Sequence, residues 1–326
     1  MRRRQILKLL GTAAAAWPLA AHAQRTITPL IGYLSSKTEA AEANTVAAVR
    51  EGLKERGFID GVNVRITYYW SDGDYGGLPQ LAGDLVNEGP NAIAASGLPA
   101  ALAAKAATST TPIVFRLTGD PVEFQLVQSF DSPGGNITGV TMLLDSLTPK
   151  KLQLVCELIP SVGKIGYLIN PKNQNAASHK NHAEPAAETL GLRLSILSAS
   201  GAEEIDSTFA TARKENVDAL IIGDDSVFDT LIHDLVGAAA RYKIPTMYYD
   251  PDFVVAGGLI SYGPSLDEMA KQMGDYLGHI LEGAKPGDLP IQQPTKFELA
   301  INLATAKSIG LNIPPSVLAD ANRVIE

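Results

Sequence analysis

Cysteine occurs once in the 326 residues, at Cys156, so the chain forms no internal disulfide. The apolar stretch Lys151–Ile159 around it places no activating base beside the thiol, which argues for a structural sulfur rather than a nucleophile. There is no Gly-rich phosphate loop and no Gly-x-Ser-x-Gly elbow. The order of Ser, His and Asp residues defines no triad. His179 and His182 would share a helix face, but only Glu184 follows and no cysteine is near, so they read as a surface pair and not as metal ligands. These absences leave no catalytic constellation, no metal site and no call for a cofactor. Basic residues are also in the minority, 27 Lys and Arg against 35 Asp and Glu, for a formal net charge of −8. Scattered acids of this kind solvate a surface, and they argue against nucleic acid as a partner.

The first residues differ from the rest. Arg2-Arg3-Arg4 is a basic start, Leu9–Ala21 is apolar and Ala-rich, and Ala21-His22-Ala23 has the small-x-small pattern of a signal-peptidase site. The run is shorter than the roughly 20 residues a membrane span needs. The expectation is a signal peptide over residues 1–23, cleaved after Ala23, and a periplasmic location. Arg3-Arg4-Gln5-Ile6-Leu7-Lys8 resembles a twin-arginine export signal and equally fits an ordinary basic leader. No cysteine ends the leader, so no lipid anchor is expected there, and no later apolar run is long enough to span. Losing four basic residues with the leader makes the mature chain more acidic still.

One tetrapeptide occurs twice. Ile31-Gly32-Tyr33-Leu34 runs into Ser35-Ser36, and Ile165-Gly166-Tyr167-Leu168 runs into Ile169-Asn170-Pro171. Each is a short apolar run that breaks into small polar residues before a helical stretch, as a buried parallel strand does at a ligand-facing turn. Strands are expected at Leu30–Ser36, Val62–Trp70, Ala92–Ser96, Pro112–Leu117 and Ile137–Leu143, and then at Lys164–Ile169, Arg193–Leu197, Ala219–Ile222, Pro245–Tyr249 and Leu259–Tyr262. Helices are expected between them at Asn44–Arg56, Leu78–Asn87, Pro99–Thr108, Pro149–Leu158, His182–Leu190, Ala202–Lys214 and Asp229–Tyr242. Asp120-Pro121 and Asp250-Pro251 each read as a helix start. Leu266–Leu281 is strongly periodic, and Phe297–Leu303 with Ala304–Ile309 adds a strand and a helix. This alternation predicts an α/β fold of two doubly wound, Rossmann-like lobes with parallel sheets, joined by a hinge crossed several times, with a cleft between them. The expected division is residues 28–141 plus 263–288 for the first lobe and 142–262 plus 289–326 for the second.

In such sheets ligands bind beyond the carboxyl ends of the strands. The residues read there are Ser35, Ser36, Ser96, Gly97, Thr118 and Asp120 in the first half, and Asn170, Asn175, Asp224, Asp225, Ser226, Tyr249 and Asp250 in the second. Nine form the expected ligand set: Ser35, Ser36, Ser96, Thr118, Asn170, Asn175, Asp225, Ser226 and Tyr249. Helix N-termini and hydroxyls suit a carboxylate, and Asp225 or Asp250 suits an ammonium group. Taken singly, most of these residues are also good helix caps, Asp120 and Asp250 above all. Tyr33, Tyr69, Tyr75, Tyr248 and Tyr249 are aromatics near these edges, available for stacking on a ligand or for packing.

Several segments resemble the substrate-binding proteins of ABC transporters, in particular those of the tryptophan/tyrosine type, within the type I periplasmic binding proteins. They are Gly119-Asp120-Pro121-Val122, the stretch Ser132-Pro133-Gly134-Gly135-Asn136-Ile137-Thr138-Gly139-Val140, Ile165–Ile169 with Asn170-Pro171, Gly283–Pro290, and Pro294-Thr295-Lys296-Phe297-Glu298-Leu299. The resemblance covers nearly all of the chain after the leader. It implies a periplasmic receptor that closes two lobes on a small molecule and delivers it to a membrane permease driven by a separate ATPase. It also matches Ser35, Ser36 and Asn170 to ligand-facing positions. The leading expectation is a non-enzymatic binding protein for a small carboxylate-bearing solute, an amino acid or aromatic acid. A periplasmic sensor serving a signalling partner is the alternative. An exported enzyme would need a nucleophile or metal site that the sequence lacks.

Overall fold

The computed structural model describes residues 28–326. The leader and its cleavage site lie outside these residues. The first half runs β1 (Leu30–Ser35), α1 (Glu39–Glu55), β2 (Arg65–Trp70), α2 (Leu78–Asn87), β3 (Ala92–Ser96), α3 (Leu98–Ala107), β4 (Ile113–Leu117) and β5 (Ile137–Thr141). The second runs α4 (Thr148–Leu158), β6 (Lys164–Ile169), α5 (Ala176–Thr189), β7 (Arg193–Ser198), α6 (Ala202–Lys214), β8 (Ala219–Ile222), α7 (Ser226–Thr230), α8 (Ile232–Tyr242), β9 (Thr246–Tyr248), α9 (Pro251–Val255) and β10 (Ile260–Pro264). Then come α10 (Leu266–Leu281), β11 (Phe297–Asn302), α11 (Leu303–Ile309), α12 (Pro315–Ala319) and β12 (Arg323–Ile325).

Two sheets result, in the orders β2-β1-β3-β4-β5 and β12-β11-β10-β9-β8-β6-β7. The repeated tetrapeptides are β1 and β6, each with neighbours on both sides and buried along almost its whole length. Their glycines make room for packing. A Cβ on Gly32 would lie 2.5 Å from Leu85 of α2, and one on Gly166 would lie 2.7 Å from Leu220 of β8. The first sheet is parallel throughout, as expected. The second is mixed, because β11 pairs antiparallel with β10. The expected parallel pairing holds for the rest of this sheet; β11 alone runs antiparallel to its neighbour β10, because it re-enters from the hinge against the direction of β10.

The chain passes between lobes after β5, between β10 and α10, and before β11. α10 packs on α1, and two glycines allow backbone contact between them. A Cβ on Gly52 would sit 2.0 Å from the Lys271 carbonyl oxygen, and one on Gly274 would sit 2.1 Å from that of Val49. The segment before β11 lies along β5: Gln292 donates to the Gly139 carbonyl at 3.0 Å and accepts from Thr141 N–H at 2.9 Å. Each lobe has its own apolar core, and a further one runs from Tyr33, Val49 and Met273 across to Leu168, Phe228 and Tyr248.

Some local expectations are corrected. Asp120-Pro121 opens a turn, not a helix. The Asp120 carboxylate accepts from Val122 N–H at 2.7 Å, but Gln125 adopts φ 55° and ends the turn at once. α1 begins at Glu39 because Thr38 caps it, accepting from Ala41 N–H at 3.2 Å. α5 begins at Ala176, ahead of the expected His182. The expected helix Asp229–Tyr242 is two, broken at Leu231 with φ −109°. α12 and β12 were not anticipated.

Candidate functional site

The ends of β1, β3, β4, β6, β8 and β9 converge on a buried polar seam between the lobes. From the first lobe, Ser36 Oγ meets Ser226 Oγ of the second at 2.6 Å. Tyr75 donates to Asp225 Oδ2 at 2.8 Å. Lys37 Nζ lies 2.7 Å from Asp229 and 3.3 Å from Glu42, and Glu42 also accepts from Tyr33 at 2.5 Å. Burial pulls the Lys37 ammonium toward neutrality, but Asp229 and Glu42 more than offset it and hold its pKa above the usual lysine value.

Asp225 gathers the most donors. Asn170 Nδ2 reaches it at 3.0 Å, Asn173 Nδ2 at 2.7 Å, Tyr75 at 2.8 Å and Val227 N–H at 2.9 Å. Burial still pushes its carboxyl above the ordinary value, with the Asn170, Asn173 and Tyr75 bonds opposing. The cap and site readings therefore describe the same residue: Asp225 caps α7 and ties both lobes. Tyr249 donates to Asp229 and reaches the Asp225 carbonyl at 3.3 Å.

A second network lies behind it. His179 Nε2 is 3.0 Å from Asp224 Oδ1 and 3.4 Å from Asp145 Oδ1, and Asn175 Nδ2 is 2.8 Å from the same nitrogen. Burial opposes charge on His179 and Asp224, but their mutual attraction prevails. It holds His179 above the usual imidazole value and Asp224 below the usual carboxyl value, the latter with help from the Thr118 hydroxyl. Burial pulls the Lys151 amine below the usual lysine value, with Asp224 and Asp145 opposing. Asp145, His179 and Asp224 each place one potential ligand atom within 4.8 Å of the others, and His179 already lies against both carboxylates. The expectation of a surface histidine pair is corrected: His179 is buried in this cluster and only His182 is exposed, because α5 turns its Ser178–His179 face to the seam.

Two cavities meet at this seam. One, of about 40 Å³, is lined by Thr118, Asn173, Asp225, Ser226 and Tyr249 among others. The other, of about 290 Å³, lies toward α1, α9 and the start of β11. Lys37, Arg116, Asp229 and Leu266 belong to the walls of both. Of the nine expected ligand residues, Thr118, Asp225, Ser226 and Tyr249 reach the smaller cavity. Ser36 and Asn170 bond residues that do. Ser35 caps its own turn, accepting from Lys37 N–H at 3.1 Å. Ser96 is fully buried at the end of β3, and Asn175 belongs to the His179 network. Asp250 caps α9 as expected, accepting from Asp252 N–H at 2.8 Å, and also lines the larger cavity. Among the aromatics, Tyr75 and Tyr249 join the seam, Tyr248 stacks on Phe253 at 4.7 Å, and Tyr69 bonds Glu88 at the surface.

Sequence reasoning missed Lys37, Tyr75 as a hydrogen-bond donor, Arg116, Asn173 and Asp229. For Arg116 a signal existed: it is a charge inside the apolar strand Ile113-Val114-Phe115-Arg116-Leu117, where a buried position tolerates one only with a purpose.

Two α/β lobes with a polar cleft at the carboxyl ends of their strands define a type I periplasmic binding fold. The family model described as ABC transporter substrate binding protein matches residues 38–325, and the chain belongs to that family. The family is one of substrate-binding proteins, not of enzymes. The chain is 26% identical over 261 residues to the tyrosine-binding protein of Clostridioides difficile (strain R20291), covering 80% of this chain and 75% of that one. A conserved domain protein from Vibrio cholerae superposes with TM-score 0.86 at 30% identity, covering 91% of this chain and 99% of the other. An ABC domain from Streptococcus pneumonia in complex with L-Trp superposes with TM-score 0.84 at 27% identity, covering 91% and 100%. Among the described residues no helix is long and apolar enough to cross a membrane.

Proposed function

We propose that this protein is the periplasmic solute-binding component of an ABC importer and that it captures an amino acid by lobe closure. The carrying observation is that side chains of both lobes meet inside one buried seam, through Ser36–Ser226, Tyr75–Asp225 and Lys37–Asp229. Separating the lobes breaks these bonds, and closure over a ligand re-forms them beside it, so binding and closure are linked. The smaller cavity holds about three waters in this arrangement, so a solute enters only when the lobes part. In this reading the lobes are residues 28–141 with 263–288 and 142–262 with 289–326. Ser36, Thr118, Asn170, Asp225, Ser226 and Tyr249 face the solute, and Ser35, Ser96 and Asn175 support them from behind. The closed form docks on an inner-membrane permease driven by a separate ATPase. A cleaved leader, by the general or the twin-arginine route, brings the protein to the periplasm without a lipid anchor. Relatives named for tyrosine and solved with L-Trp make aromatic amino acids the first candidates.

A thermal-shift screen of the protein lacking residues 1–23 tests this. A ligand at 100 times its Kd adds about 2.7 kcal/mol to stability. A clear class of amino-acid hits is expected; no shift with any amino acid or small acid, in folded and ligand-free protein, refutes the reading.

A further inference from the structure

Arg116 is a buried cation on the cleft wall. It is 4% exposed, and its neighbours along β4, Phe115 and Leu117, are buried and apolar. Lys37 has Asp229 at 2.7 Å and Glu42 at 3.3 Å. Among the described residues the Arg116 guanidinium has no carboxylate within 4.0 Å, and its Nε is buried without a hydrogen-bond partner. A buried cation left without a partner is strongly unfavourable, and a fold retains one where an anion arrives to complete it.

Position identifies what arrives. Arg116 lies on the wall shared by the two cavities, and the larger, at about 290 Å³, approaches the roughly 300 Å³ lower bound of small-molecule sites. The smaller, at about 40 Å³, has room for only about three waters. The larger cavity is also lined by Asn44, Thr45 and Asp250. Asp250 uses Oδ1 to cap α9, and no donor is bonded to its Oδ2 among the described residues.

Building on the solute-binding reading, we propose that Arg116 anchors the ligand's carboxylate, that the ligand's body occupies the larger cavity toward α1 and α9, and that Asp250 receives its ammonium group. The ligand class is then a zwitterionic α-amino acid, read through both charges. The strand-end hydroxyls and amides face the solute as the lobes close, and Arg116 adds the contact to the anionic group that complements the strand-end Asp250. Arg116 is a planar bidentate donor matched to a carboxylate, so lysine replaces it only in part.

The test is calorimetric titration of wild type, Arg116→Met, Arg116→Lys and Asp250→Asn with the amino acid that screens best, starting from L-tyrosine and L-tryptophan, and with its decarboxylated and deaminated analogues. Arg116→Met is expected to weaken the amino acid about a hundredfold or more, and Arg116→Lys by less. The decarboxylated amine should bind wild type and Arg116→Met equally weakly. Asp250→Asn should weaken the amino acid about tenfold or more while leaving the deaminated acid unchanged. Arg116→Met removes an uncompensated charge, so the unliganded variant should melt no lower than wild type. If it fails to fold, Arg116→Lys and the two analogues decide the question on their own. Amino-acid affinity within about threefold of wild type in folded Arg116→Met overturns the anchor and leaves the solute-binding reading standing. Absence of binding to wild type by every amino acid overturns both.

Discussion

Asp250 stands at the N-terminus of α9, where a carboxylate helps twice, by accepting from Asp252 N–H and by meeting the positive end of the helix. Its surroundings work the other way. Burial first, then Asp229 and Asp252, push its carboxyl from the ordinary 3.8 up to about 7, against the Asp252 N–H bond and Lys37. Between those two values the folded chain holds a proton that the unfolded chain has released. Stability therefore falls as pH rises through this window, and the loss is complete above about 7. Asp250→Asn keeps an oxygen for the cap and removes the titration. In the absence of ligand it is expected to flatten the melting temperature between pH 5 and pH 8 and to exceed wild type at pH 8 by roughly 2–4 kcal/mol. Parallel melting curves for the two proteins across that range would show that Asp250 is not held protonated.

At the scale of elements, the two glycines between α1 and α10 fasten the returning helix to the first lobe. Gly274→Ala puts a Cβ against the Val49 carbonyl oxygen, with backbone on both sides and no flexible side chain to yield. The helices must separate, at a cost of about 1–3 kcal/mol. Gly237→Ala on α8 is the control: nothing lies within 4 Å of its Cβ, so helix propensity alone acts and stability rises by about 0.5–1 kcal/mol. Chemical denaturation of both variants checks the opposite signs. The helix Leu266–Leu281 was legible from its period, and so were most strands and the repeat that opens each lobe, because period and burial are local properties. The antiparallel entry of β11 was not legible, since strand direction depends on where the hinge returns the chain. Most cleft residues sit where strand ends were read, so Ser36, Asn170, Asp225 and Tyr249 could be named in advance. Their partners could not. Tyr75 meets Asp225, and Lys37 meets Asp229, only once the lobes face each other. Arg116 carried a signal, a charge in an apolar strand, but that pattern alone does not say whether a carboxylate of the chain or of a ligand answers it.

For the whole molecule the seam is a balance between open and closed forms, and Tyr75 is the place to shift it. Its hydroxyl crosses from the first lobe to an Asp225 already held by Asn170, Asn173 and Val227 N–H within the second. Tyr75→Phe leaves those three bonds and the ring in place, so the second lobe's loop keeps its shape. What is lost is a bond to a buried charged acceptor that exists only when the lobes are closed, worth about 1.5–3 kcal/mol. The closed fraction of the unliganded protein should fall by about tenfold or more relative to the open one, and a ligand that needs the closed form should bind more weakly by up to the same factor. Small-angle scattering is expected to give the unliganded variant a larger radius of gyration than wild type, and the ligand-saturated variant the wild-type value. An unchanged radius together with unchanged affinity would mean that the Tyr75–Asp225 bond reforms with water at no cost, and that closure is governed by the apolar contacts between the lobes.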